Sequence, residues 1–403
     1  LHSVRPSRNG GHSSSRASIT QSKLADPDTP IYTIASGFQE HMYLPDPTCL
    51  YALLGAVAGN MLTGDPIWLM LVGDSGSGKT ALLKSIMELD RMVMVSSIKG
   101  EAALLSGVKA KDRSEDATGG LLHELGDNGC LVFMDFTSVL SKSREAINEL
   151  LGALREIYDR TWSRSIGGEG GRRLEHHGRV VLAAGVTPAI DRHHEVTSEM
   201  GERSLYFRFP RTDGYQESMY ASNATDPEGS EEHMRQVVAS VFFALGLSFA
   251  DPSPRRELVM SESARLVGLA QLGSRCRSYV PRDAYTKQVT DVPSNEVPTR
   301  MTKQLAQLYL GMEVLGVSEP ERWDTVARVA LDSMTLGKRL VLKVIGDGGS
   351  NGALTEAAIA KRVMVSNQAA GRMLEDLVLL GVLARDSQTK SYGLSEWARE
   401  RMP

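Results

Sequence analysis

Short apolar runs alternate with helical patterns through the first half of the chain. The runs are brief and bounded by glycine or polar residues, which is typical of buried strands. They cover residues 67–73, 91–97, 130–135, 179–185 and 204–209. Helical periodicity is clear in the intervening segments 49–66, 80–89 and 144–158. Strands that alternate with helices in this way predict an α/β fold with a parallel sheet.

The second half of the chain is mainly helical. Amphipathic patterns at 233–247 and 301–316 predict two long helices, and the glycine-rich stretch 346–352 separates a smaller C-terminal unit. The first residues are basic and lack an apolar core, which indicates a disordered tail. The predicted division is a tail at 1–28, an α/β core at 29–213, a helical region at 214–335 and a C-terminal unit at 336–403.

Composition narrows the class of protein. The chain has 403 residues, of which 41% are hydrophobic and 23% charged, and its formal net charge is −4. These values are typical of a soluble globular protein, and any contact with nucleic acid would need local basic patches. The three cysteines lie far apart in sequence, and no apolar run reaches the ~18 residues of a membrane span. We therefore expect a cytoplasmic protein without disulfides or membrane segments.

The segment "GDSGSGKT" matches the Walker A pattern G-x-x-x-x-G-K-[ST]. Its glycines let the backbone wrap a phosphate, Lys79 reaches the β- and γ-phosphates, and the hydroxyl of Thr80 binds Mg²⁺. A predicted strand precedes the segment and a predicted helix follows it, as this loop requires. The sequence therefore predicts ATP and Mg²⁺ as ligands. The predicted phosphate-binding residues are Gly73, Asp74, Ser75, Gly76, Ser77, Gly78, Lys79 and Thr80.

The strand 130–135 ends in Asp135, 55 residues after Thr80. P-loop proteins have a second strand beside the first, and its terminal Asp holds Mg²⁺. We therefore predict Asp135 as a metal-binding residue. In ATP-hydrolysing enzymes a Glu often follows this Asp, but residue 136 is Phe. Candidate carboxylates for the activation of water are Glu124, Glu145 and Glu149. The sequence thus predicts the binding of ATP and leaves open which group supports its hydrolysis.

Four later segments fall in a definite order: "DRTWSRSIGGEGGRRLEHHGR" (159–179), "GVTP" (185–188), "MGERSLYFRFP" (200–210) and "PTRMTKQLAQLYLG" (298–311). This order resembles the AAA+ ATPases, and most closely the minichromosome-maintenance-like ATPases of phages and mobile elements. The resemblance covers roughly residues 45–315. It implies that the first segment is a hairpin that grips DNA through Arg164, Arg172 and Arg173.

The same resemblance assigns roles around the nucleotide. It implies that Thr187 is a sensor that orients the attacking water, although a helix cap before Pro188 is an equal alternative. It implies that Arg203 is an arginine finger that reaches the γ-phosphate bound by a neighbouring subunit. Arg300 matches the family's second sensor, which would touch the γ-phosphate once the helical lid closes. The alternatives are Arg208 and Arg211 for the finger, and Lys303 for the second sensor.

Residues 354–400 have the pattern of a winged helix-turn-helix. Thr355 and Ser366 stand where helix N-caps are expected, and two short strands follow the second helix. On that helix Asn367, Gln368 and Arg372 point away from the apolar face, and with Lys390 of the wing they are the predicted DNA contacts. The acidic Glu375 and Asp376 weaken this interpretation, and docking to a protein is the alternative.

Together these features predict a P-loop AAA+ parallel sheet with a helical lid, followed by a C-terminal winged helix-turn-helix. We expect an oligomeric ATPase, a hexameric ring if the family pattern holds, that acts on DNA as a helicase or translocase in mobile-element replication. The alternative is an ATP-controlled loader or regulator that binds DNA without moving along it. Phe136 favours that second hypothesis.

Overall fold

The core of the molecule is a five-stranded parallel sheet. The computed structural model describes residues 28–98, 100–105, 120–166, 172–199, 202–212, 214–283, 285–348 and 353–403. The strands of the sheet are β1 (Trp68–Val72), β2 (Met92–Val95), β3 (Asn128–Phe133), β6 (Arg179–Val186) and β7 (Ser204–Arg208). Their spatial order is β2-β3-β6-β1-β7, and every neighbouring pair is parallel. The predicted α/β class is confirmed, and the sheet is compatible with a P-loop fold.

The strand that leads to Asp135 does not lie beside β1. Strand β6 pairs with β1 through Trp68 and Leu182, and with β3 through Phe133 and Ala184. All eight residues of β6 are buried, as a central position in the sheet requires. The expectation that β1 and β3 are neighbours is therefore wrong, because strand order depends on long-range pairing that the apolar runs do not specify.

Helices cover both faces of the sheet. The first half of the chain contains α1 (Pro30–His41), α2 (Thr48–Asn60), α3 (Lys79–Ser85), α4 (Leu121–Leu125), α5 (Thr137–Leu140), α6 (Arg144–Tyr158) and α7 (His194–Glu199). The strands β4 (Thr161–Ile166) and β5 (Arg172–His177) form an antiparallel hairpin. The second half contains α8 (Tyr215–Ser222), α9 (Pro227–Ala244), α10 (Met260–Arg277), α11 (Thr299–Val314) and α12 (Glu319–Asp332). The predicted basic tail and the loop at 109–119 lie outside the described residues.

Helices from both halves of the chain share the larger hydrophobic core. It joins α1 and α2 to α9, α10, α11 and α12 and to one face of the sheet, while α6 covers the other face. The division predicted between residues 213 and 214 therefore does not separate two cores. The predicted helical lid thus packs on the sheet through a shared core.

The crossing of α2 and α11 is especially close. A Cβ added to Gly311 would lie 2.1 Å from the carbonyl oxygen of Gly55 and 2.3 Å from the backbone nitrogen of Gly59. Beside this contact, the buried side chain of Gln307 donates a hydrogen bond to the carbonyl of Gly59 at 2.6 Å. The two helices thus meet backbone to backbone, which fixes the position of α11 relative to the core.

A buried ionic network ties the end of β7 to the following helices. The carboxylate of Asp332, which is fully buried, accepts a hydrogen bond from the backbone nitrogen of Arg208 at 2.7 Å. The guanidinium of Arg208 binds both oxygens of Asp191, at 2.7 and 3.1 Å, and the carbonyl of Met334. Arg339 pairs with the other oxygen of Asp332 at 2.5 Å. These charges are compensated by one another, as burial requires.

The C-terminal residues form four helices and a small antiparallel sheet. The elements are α13 (Leu336–Gly346), β8 (Leu354–Thr355), α14 (Glu356–Val363), α15 (Asn367–Leu379), β9 (Leu383–Arg385), β10 (Ser391–Leu394) and α16 (Glu396–Arg399), with strand order β8-β10-β9. Both predicted caps are confirmed, because Thr355 accepts from the backbone nitrogen of Ala358 and Ser366 from that of Ala369.

This C-terminal unit is docked on α10. The guanidinium groups of Arg275 and Arg401 lie over the ring of Trp397, at 3.7 and 4.7 Å from its centroid. Arg282 pairs with Asp376 of α15 at 2.6 Å. Cation–π contacts and ion pairs of this kind are directional, so they orient the unit as well as hold it. Among the described residues, no helix is both long and apolar enough to cross a membrane.

Substitution of Gly311 by Ala tests the α2–α11 crossing. The added methyl group has no space against the backbone of α2, so we expect a loss of about 1–3 kcal/mol in the free energy of unfolding. Gly268 is the matched control, since it also lies inside a helix but an added Cβ would meet nothing closer than 4.0 Å. Gly268→Ala should raise stability by about 0.5–1 kcal/mol in the same denaturant titration. Equal effects of the two substitutions would contradict the close crossing.

Candidate functional site

The phosphate loop joins the end of β1 to the start of α3. Gly76 and Gly78 have φ angles of +82° and +83°, a conformation that side chains with a Cβ rarely adopt. A Cβ on Gly73 would lie only 2.6 Å from the hydroxyl oxygen of Ser77. Lys79 and Thr80 open α3, where the first backbone N–H groups have no acceptor within the helix. The loop has the backbone that cradling a phosphate requires.

The ammonium group of Lys79 lies within this loop. It donates hydrogen bonds to the carbonyls of Gly73 and Asp74, at 2.7 and 2.6 Å, and to the hydroxyl of Ser77 at 3.0 Å. Burial lowers the pKa of Lys79, while the nearby charges of Asp74 and Asp135 act in the opposite direction. Asp135 follows β3, and because β1 and β3 both run parallel to β6, it lies at the same edge of the sheet as the loop.

Three side chains meet beyond the ends of β3 and β6. Asp135 accepts a hydrogen bond from the backbone nitrogen of Thr137 at 2.9 Å. The hydroxyl of Thr137 accepts from the backbone nitrogen of Thr187 at 3.0 Å and lies 3.3 Å from its hydroxyl. Thr187 makes no side-chain cap to the helical turn that follows, so its hydroxyl belongs to this cluster. Sequence reasoning missed Thr137, which only the pairing of β3 with β6 brings beside Thr187.

Phe136 points away from this cluster. Its side chain is 1% exposed and packs edge-to-face on Phe133, with ring centroids 5.4 Å apart. Its backbone nitrogen donates to the carbonyl of Gly185 at 2.7 Å, which fixes the turn after β3 to β6. The side chain at position 136 is thus part of the hydrophobic core beneath α6. It occupies no part of the polar edge where Asp135 lies.

The three carboxylates suggested as replacements are all exposed. Glu149 lies beside Glu101, and the carboxyl of Glu101 is 4.0 Å from Arg164 of the hairpin. Glu145 is in the first turn of α6, and Glu124 is on α4. Among the contacts of the described residues, none joins Glu124, Glu145 or Glu149 to the phosphate loop. The arrangement therefore gives no reason to assign the activation of water to any of them.

Arg203 lies at the opposite edge of the sheet, just before β7. Its guanidinium donates to Asp159 at 2.9 Å and lies 5.6 Å from the centroid of the Tyr158 ring. Arg300 lies over the same ring at 5.9 Å and donates to the carbonyl of Glu202 at 3.1 Å. Burial, together with the charge of Arg300, lowers the pKa of Arg203. Arg203 is paired with the exposed Asp159, and Arg300 lies 3.8 Å from Glu296, so acids accompany both of these neighbouring cations.

The distance between the two edges follows from strand register. Trp68 pairs with Ser204 and Val72 pairs with Arg208, so Arg203 lies about six residues along the strand direction from Gly73. At about 3.3 Å per residue this separation is roughly 20 Å. The structure therefore does not bring Arg203 or Arg300 to the phosphate loop of the same chain. Arg300 contacts the Tyr158 ring and the carbonyl of Glu202 rather than the phosphate loop, so its role as the second sensor stays a prediction.

The alternative residues have other partners. Arg208 is 4% exposed and belongs to the network with Asp191 and Asp332, so it is a structural residue. Lys303 pairs with Asp65 at 3.0 Å. Arg211 is exposed beyond the end of β7. The candidates for the finger are Arg203, Arg208 and Arg211. Of these three, only Arg203 lies at the amino-terminal edge of the sheet and pairs with an exposed residue, Asp159.

The hairpin β4–β5 carries the predicted DNA contacts. Arg164 lies 4.0 Å from Glu101, and Arg173 pairs with Glu175 at 2.9 Å and donates to Ser163 at 3.1 Å. Arg172 is the first residue of β5, but its side chain and the turn at 167–171 lie outside the described residues. The predicted hairpin is confirmed by six paired residues in each strand.

The C-terminal candidates lie on and near α15. Asn367 and Gln368 are exposed in its first turn, and Lys390 is exposed between β9 and β10. Arg372 is partly buried on the same helix. Glu375 and Asp376, which weakened the prediction of DNA contact, both pair with Arg282, at 2.8 and 2.6 Å. Their charges are therefore compensated within the chain.

No model of a known protein family matches this sequence, and no curated protein matches it. The resemblance to the AAA+ ATPases thus depends on the motifs of the chain, on their order and on the sheet that places them. Lys79, Asp135 and Thr187 come together at the carboxyl edge of that sheet. Arg203 and Arg300 come together at the amino edge.

Substitution of Phe136 by Glu tests the placement of this side chain. Because position 136 is in the core, the new carboxylate would be buried without a partner, and we expect a loss of at least about 3 kcal/mol in the free energy of unfolding. Phe136→Leu is the control and should cost less than about 1.5 kcal/mol in the same denaturant titration. A stable Phe136→Glu protein with faster ATP hydrolysis would show that position 136 faces the nucleotide.

Proposed function

We propose that this chain is an oligomeric AAA+ ATPase that acts on DNA, as a helicase or translocase. The observation that carries the proposal is the division of its charged groups between the two edges of one sheet. A phosphate loop with Asp135 lies at one edge, and the pair Arg203 and Arg300 lies at the other. Neither half is a complete site for phosphoryl transfer, which needs cations around the γ-phosphate as well as a loop and Mg²⁺.

The residues at the carboxyl edge fit a triphosphate with Mg²⁺. The N–H groups of the phosphate loop and the ammonium of Lys79 would hold the phosphates, and Thr80 and Asp135 would hold the metal ion. Bound Mg²⁺ neutralises charge on the phosphate oxygens. Lys79 must exchange its contacts with Gly73 and Asp74 for phosphate oxygens, which replaces neutral carbonyl acceptors with charged ones.

The hydroxyls of Thr137 and Thr187 would orient a water molecule at this edge. They lie 3.3 Å apart, and Thr137 is held by Asp135 through its backbone nitrogen. A hydroxyl orients water but is a poor base, so this arrangement supports slow hydrolysis rather than fast. Phe136, buried in the core, takes no part in this chemistry.

Arg203 and Arg300 would act on the nucleotide of a neighbouring subunit. A second chain that places its phosphate loop against the amino edge would meet both guanidinium groups at once. Arg203 would leave the exposed Asp159 and bind the γ-phosphate, where it stabilises the charge that develops on the transferring group. Such a contact joins different surfaces of the two subunits, so repetition closes a ring if the rotation allows it.

The remaining basic segments favour DNA as the binding partner. The hairpin β4–β5 presents Arg164 and Arg173, which would bind phosphates without regard to sequence. We propose that the elements from β8 to β10 are a winged helix-turn-helix, and Asn367 and Gln368 are exposed at the start of α15. We propose that this unit contacts DNA and that the hairpin couples hydrolysis to movement.

The second candidate function is an ATP-controlled loader or regulator that does not move along DNA. The observation in its favour is the composition of the polar edge. Among the described residues, Asp135 has Thr137 and Thr187 beside it but no Glu. A chain of this kind would assemble on DNA when ATP binds. Unwinding of a forked duplex separates the two candidates, because only a motor displaces the paired strand as it hydrolyses ATP.

Mixing of two inactive variants tests whether the site is shared. Lys79→Ala removes the loop cation and Arg203→Ala removes the finger, so each protein alone should lose ATP hydrolysis. If the two halves come from different chains, an equal mixture should recover about one quarter of the wild-type rate, since about a quarter of randomly formed interfaces contain an intact Lys and an intact Arg. The measurement is the steady-state release of phosphate.

Two controls accompany this measurement. Arg211→Ala removes an exposed Arg near the end of β7 and should leave hydrolysis unchanged. The double variant Lys79→Ala with Arg203→Ala, mixed with wild-type protein, tests whether subunits exchange. A mixture of the single variants that stays inactive, under conditions where subunits exchange, would contradict a shared site.

Substitution of Arg173 tests the contact between the hairpin and DNA. Loss of one phosphate contact should weaken binding of single-stranded DNA and reduce the slope of log affinity against log salt concentration by about 0.7. The measurement is fluorescence anisotropy over a series of salt concentrations. Arg235→Ala on α9 removes another partly exposed Arg and should change neither value. If Arg173→Ala keeps the wild-type slope, the hairpin does not contact the phosphates through this residue.

A further inference from the structure

A cluster of metal-binding side chains lies where the end of α1 meets α9. The ring nitrogens His41 Nε2 and His233 Nδ1 are 2.6 Å apart, and Glu40 Oε2 is 3.9 Å from His233 Nδ1. All three ligand atoms lie within 4.8 Å of one another. We propose that Glu40, His41 and His233 bind a Zn²⁺ ion. We call these three residues the α1–α9 cluster.

The spacing of the three atoms fits a tetrahedral ion. Zn–N bonds of about 2.05 Å with tetrahedral angles place neighbouring ligand atoms about 3.3 Å apart. The observed separations of 2.6 and 3.9 Å fall on either side of this value. Binding therefore needs the two ring nitrogens to move apart by about 0.7 Å, and Glu40 Oε2 and His233 Nδ1 to move together by about 0.6 Å. The third pair, Glu40 and His41, is within 4.8 Å and must reach the same spacing. Rotation of the side chains supplies such shifts while the helices stay in place.

The chemistry of the ligands favours zinc over the magnesium that serves the phosphate loop. Two imidazole nitrogens and one carboxylate are a donor set that Zn²⁺ accepts, whereas Mg²⁺ prefers oxygen ligands and keeps its waters. Without metal, His41 and His233 form one N–H···N hydrogen bond, in which one ring donates and the other accepts. When the ion binds, the proton of the donating nitrogen moves to the other nitrogen of that ring or to water, so that each ring offers a lone pair. The cluster is partly exposed, so water can complete the coordination.

The position of the cluster gives the ion a structural role. His41 and Glu40 end α1, and His233 belongs to α9, so one ion would cross-link two helices that are distant in sequence. The next residue, Met42, packs against the phosphate loop, since a Cβ on Gly78 would lie 3.2 Å from its methyl carbon. Lys84 of α3 pairs with Glu231 of α9 at 2.9 Å. An ion bound at the α1–α9 cluster would therefore hold together α1 and α9, the two helices that flank the phosphate loop and α3.

Zinc titration of the full chain tests this proposal. Protein treated with a chelator and then freed of it is titrated with Zn²⁺ by isothermal titration calorimetry, with excess Mg²⁺ present to fill sites for hard cations. We expect a site for one ion per chain that His41→Ala and His233→Ala each weaken by at least about tenfold. His123→Ala is the matched control, because it removes an exposed histidine of α4 outside the cluster and should leave the affinity unchanged.

Two results would overturn the proposal. The first is the absence of zinc binding by the wild-type chain, and the second is equal affinity in the wild type and the histidine variants. If a histidine variant does not fold, Glu40→Gln takes its place, because this side chain is mostly exposed at the end of α1. We expect Glu40→Gln to fold and to bind zinc more weakly than the His123→Ala control. Unchanged affinity in Glu40→Gln would then count against the proposal.

Discussion

All five strands of the sheet run in the same direction, and this constraint organises the charged groups of the molecule. The carboxyl ends of β1, β3 and β6 lie at one edge, where they place the phosphate loop, Asp135 and Thr187 together. The amino end of β7 lies at the other edge and begins just after Arg203. A single chain cannot bring these two edges together without breaking the sheet. Any chemistry that uses both sets of groups therefore needs a second copy of the chain.

Packing around the sheet holds the second set of groups in place. The backbone contact between α2 and α11 fixes the helix that carries Arg300. From the same helix, Gln304 donates to the carbonyl of Arg203 at 2.5 Å, so α11 also holds the segment before β7. The side chain of Arg203 is 11% exposed, whereas that of its partner Asp159 is 54% exposed. To bind a phosphate, Arg203 would have to give up this ion pair and its contact with the ring of Tyr158. The fixed backbone would keep the guanidinium near the place where a cation at a subunit interface is needed.

Much of the fold and part of the site could be predicted from local sequence. The apolar runs predicted five strands, because the burial of a strand shows in the pattern of its own residues. Thr355 and Ser366 predicted the starts of two helices, because an N-cap contacts only neighbouring residues. The phosphate loop was predictable because its motif is continuous. Three features could not be predicted from the sequence. They are the position of β6 between β1 and β3, the contact of Thr137 with Thr187, and the proximity of Arg203 to Arg300. Each of these depends on pairing between segments far apart in sequence, which periodicity does not encode.

The central claim is that one nucleotide is held by two chains. The most direct test is a structure of the assembled protein with Mg²⁺ and a non-hydrolysable ATP analogue. The account predicts that Lys79 and Asp135 of one subunit and Arg203 of the next surround the same triphosphate, with the ion pair between Arg203 and Asp159 broken. A triphosphate enclosed by a single subunit, with Arg203 still bound to Asp159, would contradict it.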